Sequence, residues 1–400
     1  MNMMKRFNNK ILLLLLMALL VGVSITSCKK DNSSSTPQIS YVRYTDPTKS
    51  DSLLAAAYMG NLVAIVGTDL GDVNQIWFND QQATLNPAYV TNTSILVAVP
   101  NAVPGTVTNQ MKLIFKDGTV LSYSFNVTIP GPILNSIKCE YVPDGGTVVL
   151  NGDYYFNPQV FFAGGQQAEI VSFTKTQILV TVPTGAQMGN ITVKTKFGTA
   201  KSSFIFRDNT NVILDFDTYF PEMWTAGYAY ATTNPTPAPC SGNYAFLRND
   251  AVGAWMWTNP LSLQYYAPDG IRGNVPVATG NINDLVFRFE ANVPIPWKEV
   301  PLEIFFAPYG TNHGRDLPGT AIARWKPWVN GPYTTDGWVT ISIPLSDFQF
   351  TTSDSEDATV GTAKITNLSS LTNVTMLLFG PAAGTYPVNI NIDNIRIVSK

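Results

Sequence analysis

The chain has 400 residues and a net charge of −3, with 13% of its residues charged and 45% hydrophobic. This length allows two or three domains, and a near-neutral chain without a basic stripe argues against nucleic acid as a partner. Aromatic residues make up 12%, beside 29 glycines and 27 prolines, which is typical of strands and turns rather than of disorder. The single histidine, His313, excludes most histidine-dependent metal sites and leaves one base for a Ser-His-Asp triad.

The N-terminal residues have the pattern of an export signal. Basic residues precede an apolar run over residues 11–23 that is too short to span a bilayer. The run leads into Ile-Thr-Ser-Cys at residues 25–28, which resembles the lipobox of bacterial lipoproteins. We therefore predict a lipoprotein signal peptide with an acylated Cys28 over residues 1–28, a flexible tether over 29–37, and a lipid anchor in the outer membrane at the cell surface. The alternative is an ordinary cleaved signal that leaves Cys28 as a free thiol.

One pattern of strands occurs twice in the next part of the chain. In each copy, a strand ending in glycine is followed by a hairpin that carries Gln-Gln-Ala, by a strand that ends in Val-Pro, and by one more strand. Short alternating strands separated by turn residues predict two small immunoglobulin-like β-sandwiches. The matching segments are 62–67, 76–83, 91–100 and 111–118 in the first copy and 147–152, 160–168, 174–183 and 191–198 in the second.

This order of strands and motifs resembles the IPT/TIG domain family. The resemblance implies one such domain over residues 38–129 and a second over 130–207, and two prolines within residues 129–132 predict a stiff joint between them. Trp77 alternates with apolar neighbours, and we predict that it lies in the core of the first domain. No cluster of aromatic residues or carboxylates accompanies it, so both domains are predicted to act as spacers.

The repeated strand pattern does not continue beyond residue 207, and residues 208–400 are predicted to form a third, larger domain. Its first strand lies within residues 212–217 and its last within 388–398, and we expect these two strands to pair. The predicted fold class is therefore all-β, with two tandem immunoglobulin-like (IPT/TIG) sandwiches followed by a larger jelly-roll-like β-sandwich. The carboxylates at the strand ends would suit a structural Ca²⁺ or are simply solvated; they are Asp215, Asp217 and Asp393. The other strands predicted here are 285–291, 302–307, 338–343 and 374–379.

All but one of the eight tryptophans lie in this third domain. They are densest in residues 321–344, where prolines and glycines exclude a helix and favour strand, loop and strand. So many rings exceed what a core of this size needs, and rigid aromatic faces on loops suit a flat, uncharged ligand such as a sugar ring. The hypothesis from the residues is a carbohydrate-binding module.

Four motifs in this domain resemble the glycan-binding domain of surface glycan-binding proteins from polysaccharide-utilisation loci. They lie at residues 253–257, 289–297, 324–328 and 335–348. The resemblance implies non-catalytic binding of a polysaccharide, a β-glucan such as xyloglucan or mixed-linkage glucan, on an aromatic platform, for capture before degradation and import. It also implies a neighbouring outer-membrane glycan transporter complex as a partner, and no cofactor.

Several aromatic residues of this domain are candidates for the glycan-binding platform. Trp255 and Trp257 lie two residues apart, so they are predicted to share one face of a strand, with one of them in the core and Met256 on the opposite face. Trp338 is assigned to the core, and Trp224 is expected to be the most exposed. The candidate glycan-binding residues are Trp224, Trp257, Trp255, Trp325, Trp328, Trp297 and Tyr309, and the candidate polar partners are Arg248, Asn249, Asn312, Arg315 and Asn330.

Two other classes of function remain open at this point. A glycoside hydrolase on the same fold needs two carboxylates across a cleft, and Glu290 and Glu303 lie on strands without a recognised motif and are equally suited to solvent. A structural stalk would explain the sandwiches but not the excess of tryptophan. Cys139 and Cys240 fall in different predicted domains, so we predict two buried small side chains and no disulfide between them.

Overall fold

The computed structural model describes residues 36–49, 51–221, 230–231, 236–264, 278–307, 321–351, 360–366, 368 and 373–400. Throughout these ranges the chain is all-β, as predicted, and no helix there is long and apolar enough to cross a membrane. The predicted signal peptide with Cys28, most of the tether, Trp224 and Tyr309 lie outside the described residues, as do Asn312 and Arg315. Short 3₁₀ turns occur at Pro47–Lys49, Pro87–Tyr89, Ile282–Asp284, Pro327–Asn330 and Leu345–Asp347.

The strands are numbered in chain order. In the first part of the chain they are β1 (Gln38–Tyr44), β2 (Ala56–Tyr58), β3 (Leu62–Thr68), β4 (Val73–Phe78), β5 (Gln81–Gln82), β6 (Ser94–Ala98), β7 (Gln110–Phe115), β8 (Val120–Ser124) and β9 (Asn126–Thr128). Next come β10 (Ile133–Ile137), β11 (Thr147–Asp153), β12 (Gln159–Ala163), β13 (Glu169–Phe173), β14 (Gln177–Thr181), β15 (Gln187–Thr195) and β16 (Gly198–Lys201). The last part contains β17 (Val212–Leu214), β18 (Tyr230–Ala231), β19 (Tyr244–Val252), β20 (Trp257–Gln264), β21 (Leu285–Asn292), β22 (Leu302–Ala307), β23 (Ala321–Trp325), β24 (Val339–Pro344), β25 (Gln349–Thr351), β26 (Val360–Lys364), β27 (Asn373–Phe379) and β28 (Tyr386–Ser399).

The first compact unit, Met1–Ile129, contains the first predicted sandwich. Its two larger sheets have the strand orders β1-β3-β6 and β5-β4-β7-β8, and β2 and β9 form a short parallel pair. In β7 the side chains of Met111, Leu113 and Phe115 are buried and those between them are not, which is the period of two that fills a core between sheets. The prediction for Trp77 was wrong: its buried neighbours in β4 point inward, whereas Trp77 is half-buried on the other face, where its Nε1 donates to Gln75 Oε1 at 3.0 Å.

The second compact unit, Pro130–Lys400, begins with a sandwich that repeats the first. Its sheets have the orders β10-β11-β14-β13 and β12-β15-β16. In both copies the opening strand carries a bulge opposite the glycine that ends the following strand: Ile39 pairs with Gly67, and Leu134 pairs with Gly152. Both glycines come so close to the opening strand that a Cβ would overlap its backbone, at the carbonyl oxygen of Gln38 in the first copy. The repeated glycine is therefore a packing requirement.

Gly67→Ala is expected to lower the free energy of unfolding of the first unit by about 1–3 kcal/mol, because the added methyl must push β1 away from β3. Urea denaturation measures the effect. The matched control is Gly71→Ala in the same unit, where the nearest atom is Asn92 Oδ1 at 3.2 Å, at the end of a side chain, and the change should stay within about 0.5 kcal/mol. Equal effects of the two substitutions would refute the packing argument.

The C-terminal sandwich follows within the same unit. Its first sheet has the order β18-β19-β28-β21-β24, with β17 also paired to β28, so the predicted pairing of the first and last strands is confirmed. Its second sheet has the order β20-β27-β22-β23-β25-β26. The core between the sheets includes Phe287 and Phe289 from β21 and Ile304 and Phe306 from β22, all buried.

Residues that follow β10 in the second sandwich lie along β24, the outermost strand of the first C-terminal sheet. Thr340 N donates to the carbonyl oxygen of Lys138 at 2.9 Å, and Glu140 N donates to Thr340 Oγ1 at 2.7 Å. Lys138 also forms an exposed ion pair with Asp336 at 3.3 Å. The edge of this sheet is therefore partly covered by the preceding domain.

A buried ion network joins the same two domains. Glu140 accepts Arg288 Nη1 at 2.8 Å and Arg396 Nη2 at 2.7 Å, and Glu290 accepts Arg396 Nη1 at 2.7 Å. Burial by itself lowers the pKa of Arg396, but the Glu290 and Glu140 carboxylates outweigh it and hold that pKa above its usual range. Burial raises the pKa of Glu290 against the opposing effect of Arg396. Two cations thus balance two anions across the contact.

Candidate functional site

The tryptophan-rich stretch at residues 321–344 is organised around a ring that lies in the core. Trp297 is fully buried, which corrects its prediction as a ligand-facing ring, and its Nε1 donates to the carbonyl oxygen of Val300 at 2.8 Å. Trp325 and Trp328 lie 5.1 and 4.9 Å from it between ring centroids, and Tyr333 packs there as well. Trp325 and Trp328 are half-buried against the core, so part of this aromatic excess is used for packing inside the domain.

The turn that leads into β20 presents the most exposed tryptophans among the described residues. Trp255 is 49% exposed, Met256 41% and Trp257 57%. The expectation that one tryptophan of this pair is in the core was wrong. Trp255 lies before the strand and has a φ of 58°, so the alternation of a strand does not apply to it, and all three side chains reach solvent. We name residues 255–257 the aromatic turn.

Trp257 belongs to the outer face of the second C-terminal sheet. It lies directly opposite Phe379 on β27, and opposed residues of antiparallel strands project to the same side. Phe379 packs with Phe305, Ile322 and Leu377 in a cluster separate from the main core. The exposed ring of Trp257 therefore lies at the edge strand of this sheet, on the face that carries this buried cluster.

The same face carries a charged pair. Glu303 on β22 lies opposite both Leu377 and Arg324, and Arg324 Nε donates to Glu303 Oε1 at 3.1 Å. Glu303 is fully buried, so the alternative that it is solvated was wrong, and the same holds for Glu290. Both carboxylates form ion pairs with arginines. This arrangement is typical of a structural role, whereas a glycoside hydrolase needs two carboxyl groups that face a cleft.

Backbone hydrogen bonds fix the aromatic turn against the end of β27. Trp255 N donates to the carbonyl oxygen of Pro381 at 3.1 Å, and Gly380 N donates to that of Met256 at 2.6 Å. Gly380 approaches so closely that a Cβ there would overlap the carbonyl oxygen of Gly253. The left-handed backbone of Trp255 is costly for a bulky residue and persists because these contacts hold it. The rings are therefore presented on a rigid turn.

Polar side chains surround the residues next to Trp257. Asn249 and Asn259 both donate to Thr258 Oγ1, at 3.3 and 2.8 Å, and Arg248 N donates to Asn259 Oδ1 at 2.9 Å. The predicted polar partners Arg248 and Asn249 thus lie on the strand beside the aromatic turn. Asn330 lies instead in the 3₁₀ turn Pro327–Asn330, within the tryptophan-rich stretch.

The remaining predicted site residues have structural contacts. Trp338, assigned to the core, is half-buried where the second sandwich meets the C-terminal one, and its Nε1 donates to the carbonyl oxygen of Ala238 at 2.8 Å. No cluster of three or more metal-binding side chains exists among the described residues. Asp215 instead accepts backbone N–H groups at the end of β17, and Asp217 accepts Asn243 N, so the structure gives no support to a Ca²⁺ site there.

Two parts of the chain match known protein families, and most of the chain resembles a solved structure. Residues 206–399 match the family model of the surface glycan-binding protein B xyloglucan binding domain, and residues 52–127 match that of the IPT/TIG domain. The chain is similar to the crystal structure of a surface glycan-binding protein from Prevotella bryantii, with 26% identity, a TM-score of 0.64 and coverage of 91% of this chain and 99% of that one.

Two further proteins are similar to this chain. An SGBP-B from a complex xyloglucan utilization locus in Bacteroides uniformis shares the fold at 17% identity and a TM-score of 0.50, with 91% of this chain and 99% of that one covered. An IPT/TIG domain-containing protein of Bacteroides ovatus is 31% identical over 154 residues, which is 37% of this chain, and the chain spans only 31% of that relative's length.

Fold and site together define a multidomain all-β protein with an exposed aromatic turn on its last sandwich. Its C-terminal domain belongs to the surface glycan-binding protein B family, and it follows an IPT/TIG domain and a second sandwich in which six strands pair in the same order as in the first.

Proposed function

We propose that this protein captures a polysaccharide of the β-glucan type at the cell surface and does not cleave it. The observation that carries the proposal is the exposed aromatic turn, in a domain that matches the xyloglucan-binding family model. The similarity to a surface glycan-binding protein over 91% of the chain supports the same function. Xyloglucan and mixed-linkage glucan are the ligand classes we favour.

The proposed contacts follow from the chemistry of the ligand. The faces of glucose-type rings carry C–H bonds of partial positive charge, and the face of an indole is negative, so the two stack. Trp255 and Trp257 would provide the platform, and Arg248 and Asn249 on the neighbouring strand would bind hydroxyl groups. A few such stacked rings predict a Kd roughly in the millimolar to micromolar range. Weak single contacts suffice when many anchored copies hold one polymer.

Affinity gel electrophoresis against a panel of polysaccharides tests the proposal. We expect slower migration in gels containing xyloglucan or mixed-linkage glucan, and calorimetry on the retained polysaccharides gives the Kd. A stalk without binding function would migrate equally in every gel. A reducing-sugar assay on the same polysaccharides separates binder from hydrolase: release of sugar ends would refute the non-catalytic part of the proposal.

Gly380→Ala is expected to weaken glycan binding by about tenfold although it removes no ring, because the methyl group would displace the turn that carries Trp255 and Trp257. Calorimetry measures the loss. Ala382→Ser is the matched control, since Ala382 is exposed in the same loop and its substitution adds no buried atom. Unchanged affinity in Gly380→Ala would show that the position of the turn does not matter for binding.

The anchoring and the partner are further parts of the proposal. The lipobox-like sequence at residues 25–28 supports acylation of Cys28 and attachment to the outer membrane, beside a glycan transporter complex. We expect Cys28→Ala to shift the protein from the membrane fraction to the soluble fraction and to abolish incorporation of labelled palmitate. Ser27→Ala keeps a small residue before the cysteine and should stay in the membrane fraction. Copurification from membranes tests for the transporter.

A further inference from the structure

Cys139 and Cys240, from two different domains, lie in one buried cluster. Cys139 follows β10 of the second sandwich, and Cys240 precedes β19 of the C-terminal domain. Both are 3–4% exposed and pack with Tyr141, with Trp338 against them. The expectation that their separate domains keep them apart was therefore wrong, although both are free thiols in this structure.

The two thiols belong to the same buried cluster, and the pKa of Cys240 is raised first by burial and then by the neighbouring Cys139. Cys139 Sγ also donates to the carbonyl oxygen of Tyr141 at 3.0 Å, and Cys240 Sγ donates to Asp393 Oδ2 at 3.3 Å. Ser241 Oγ donates to the same carboxylate oxygen at 3.0 Å. Both thiols thus lie in one buried cluster where the two domains are in contact.

The chain on either side of each cysteine is held in place. Glu140, between Cys139 and Tyr141, is bound by two arginines of the C-terminal domain in the buried ion network. On the other side, Trp338 Nε1 donates to the carbonyl oxygen of Ala238, two residues before Cys240. Contacts between the two domains therefore fix the chain next to both cysteines of the cluster.

We propose that the thiols of Cys139 and Cys240 are oxidised to a disulfide that joins the second sandwich to the C-terminal domain. This rests on the proposed export of the protein, because disulfides form in oxidising compartments. Such a bond closes a loop of about 100 residues, a length for which a cross-link restricts the unfolded chain strongly.

The oxidant is the disulfide of an exported thiol–disulfide oxidoreductase, and oxidised glutathione replaces it in vitro. One cysteine thiolate attacks that disulfide to give a mixed disulfide, and the second thiolate displaces the oxidant's remaining sulfur. The Cys139–Cys240 bond forms, the oxidant gains two electrons, and the two thiol protons leave to the oxidant or to water. Burial raises the pKa of Cys240, so the exchange occurs during folding, before the cluster closes.

Peptide mapping tests the bond directly. The full chain carrying Cys28→Ser is refolded in a mixture of reduced and oxidised glutathione, alkylated in denaturant and digested with trypsin. We expect peptide 139–175 joined to peptide 208–248, lighter by two hydrogen atoms than their sum, and separated by reductant. Recovery of both peptides alkylated at cysteine would overturn the proposal.

Cys139→Ser is the control: it should abolish the joined peptide and leave Cys240 alkylated. Because the main measurement uses the native pair, it does not depend on the folding of the variant. Affinity electrophoresis of the same oxidised sample in a xyloglucan gel separates the two proposals. Retention without the joined peptide overturns the disulfide alone, and the joined peptide without retention supports the disulfide while counting against xyloglucan binding.

Discussion

Replacing Trp257 by alanine is expected to weaken binding of the retained β-glucan by about tenfold or more while the fold stays intact. Trp257 is 57% exposed at the start of an edge strand, so its removal leaves no cavity in the core. The lost ring takes with it the apolar surface on which a sugar face would stack. Calorimetry measures the affinity, and thermal unfolding checks that the melting temperature is unchanged.

Trp77→Ala is the matched control for this experiment. Trp77 is also a tryptophan on a strand and outside the core, although half-buried, and it lies in the first unit, away from the proposed site. Its loss should leave the affinity for the glucan unchanged. If Trp77→Ala and Trp257→Ala reduced affinity equally, or if neither did, the aromatic turn would not be the binding platform.

Replacing Arg396 by methionine is expected to lower the free energy of unfolding by about 3–5 kcal/mol, a larger loss than Gly67→Ala should cause. Arg396 is fully buried and binds both Glu140 and Glu290. Methionine fills part of the volume but leaves Arg288 alone to balance two buried carboxylates. Urea denaturation of the full chain measures the loss.

The destabilisation by Arg396→Met should be larger at about pH 8 than at about pH 5. Burial already raises the pKa of Glu290, and loss of Arg396 raises it further, so the folded variant holds a proton that the unfolded chain releases as the pH rises. Lys138→Met, which breaks only the exposed ion pair with Asp336 at the same contact, should cost less than about 1 kcal/mol. A loss independent of pH, or equal to that of Lys138→Met, would contradict this account.

The all-β class and the repeat were predictable because both depend on local patterns. Alternation of apolar residues in segments such as Gln110–Phe115 defines which face of a strand is buried. The glycine at the end of the Leu62–Thr68 strand recurs at Gly152, and the close approach that explains both is the same in each copy. The pairing of the first and last strands of the C-terminal domain followed from the usual closure of such sandwiches.

The choice of exposed rings was not predictable in the same way. Whether Trp297 or Trp257 is covered depends on strands that are distant in sequence, and the sequence does not say which loop closes the end of the sandwich. The turn at Trp255 was missed because its left-handed backbone breaks the alternation, and Gly253 and Gly380 were the only local signals of a tight approach. Glu140 carried no signal, because its partners Arg288 and Arg396 come from another domain.

The coverage of β24 by residues 138–140 has a practical consequence for dissecting the protein. A truncation that starts near residue 207 would remove Glu140 and leave Arg288 and Arg396 with one carboxylate between them. It would also expose the edge strand β24, with which other chains could then pair. Such a fragment should be poorly soluble, whereas a fragment that starts at residue 130 keeps the contact. The last two sandwiches are therefore expected to fold as a pair, and the boundary between the two compact units, before Pro130, is the place to divide the chain.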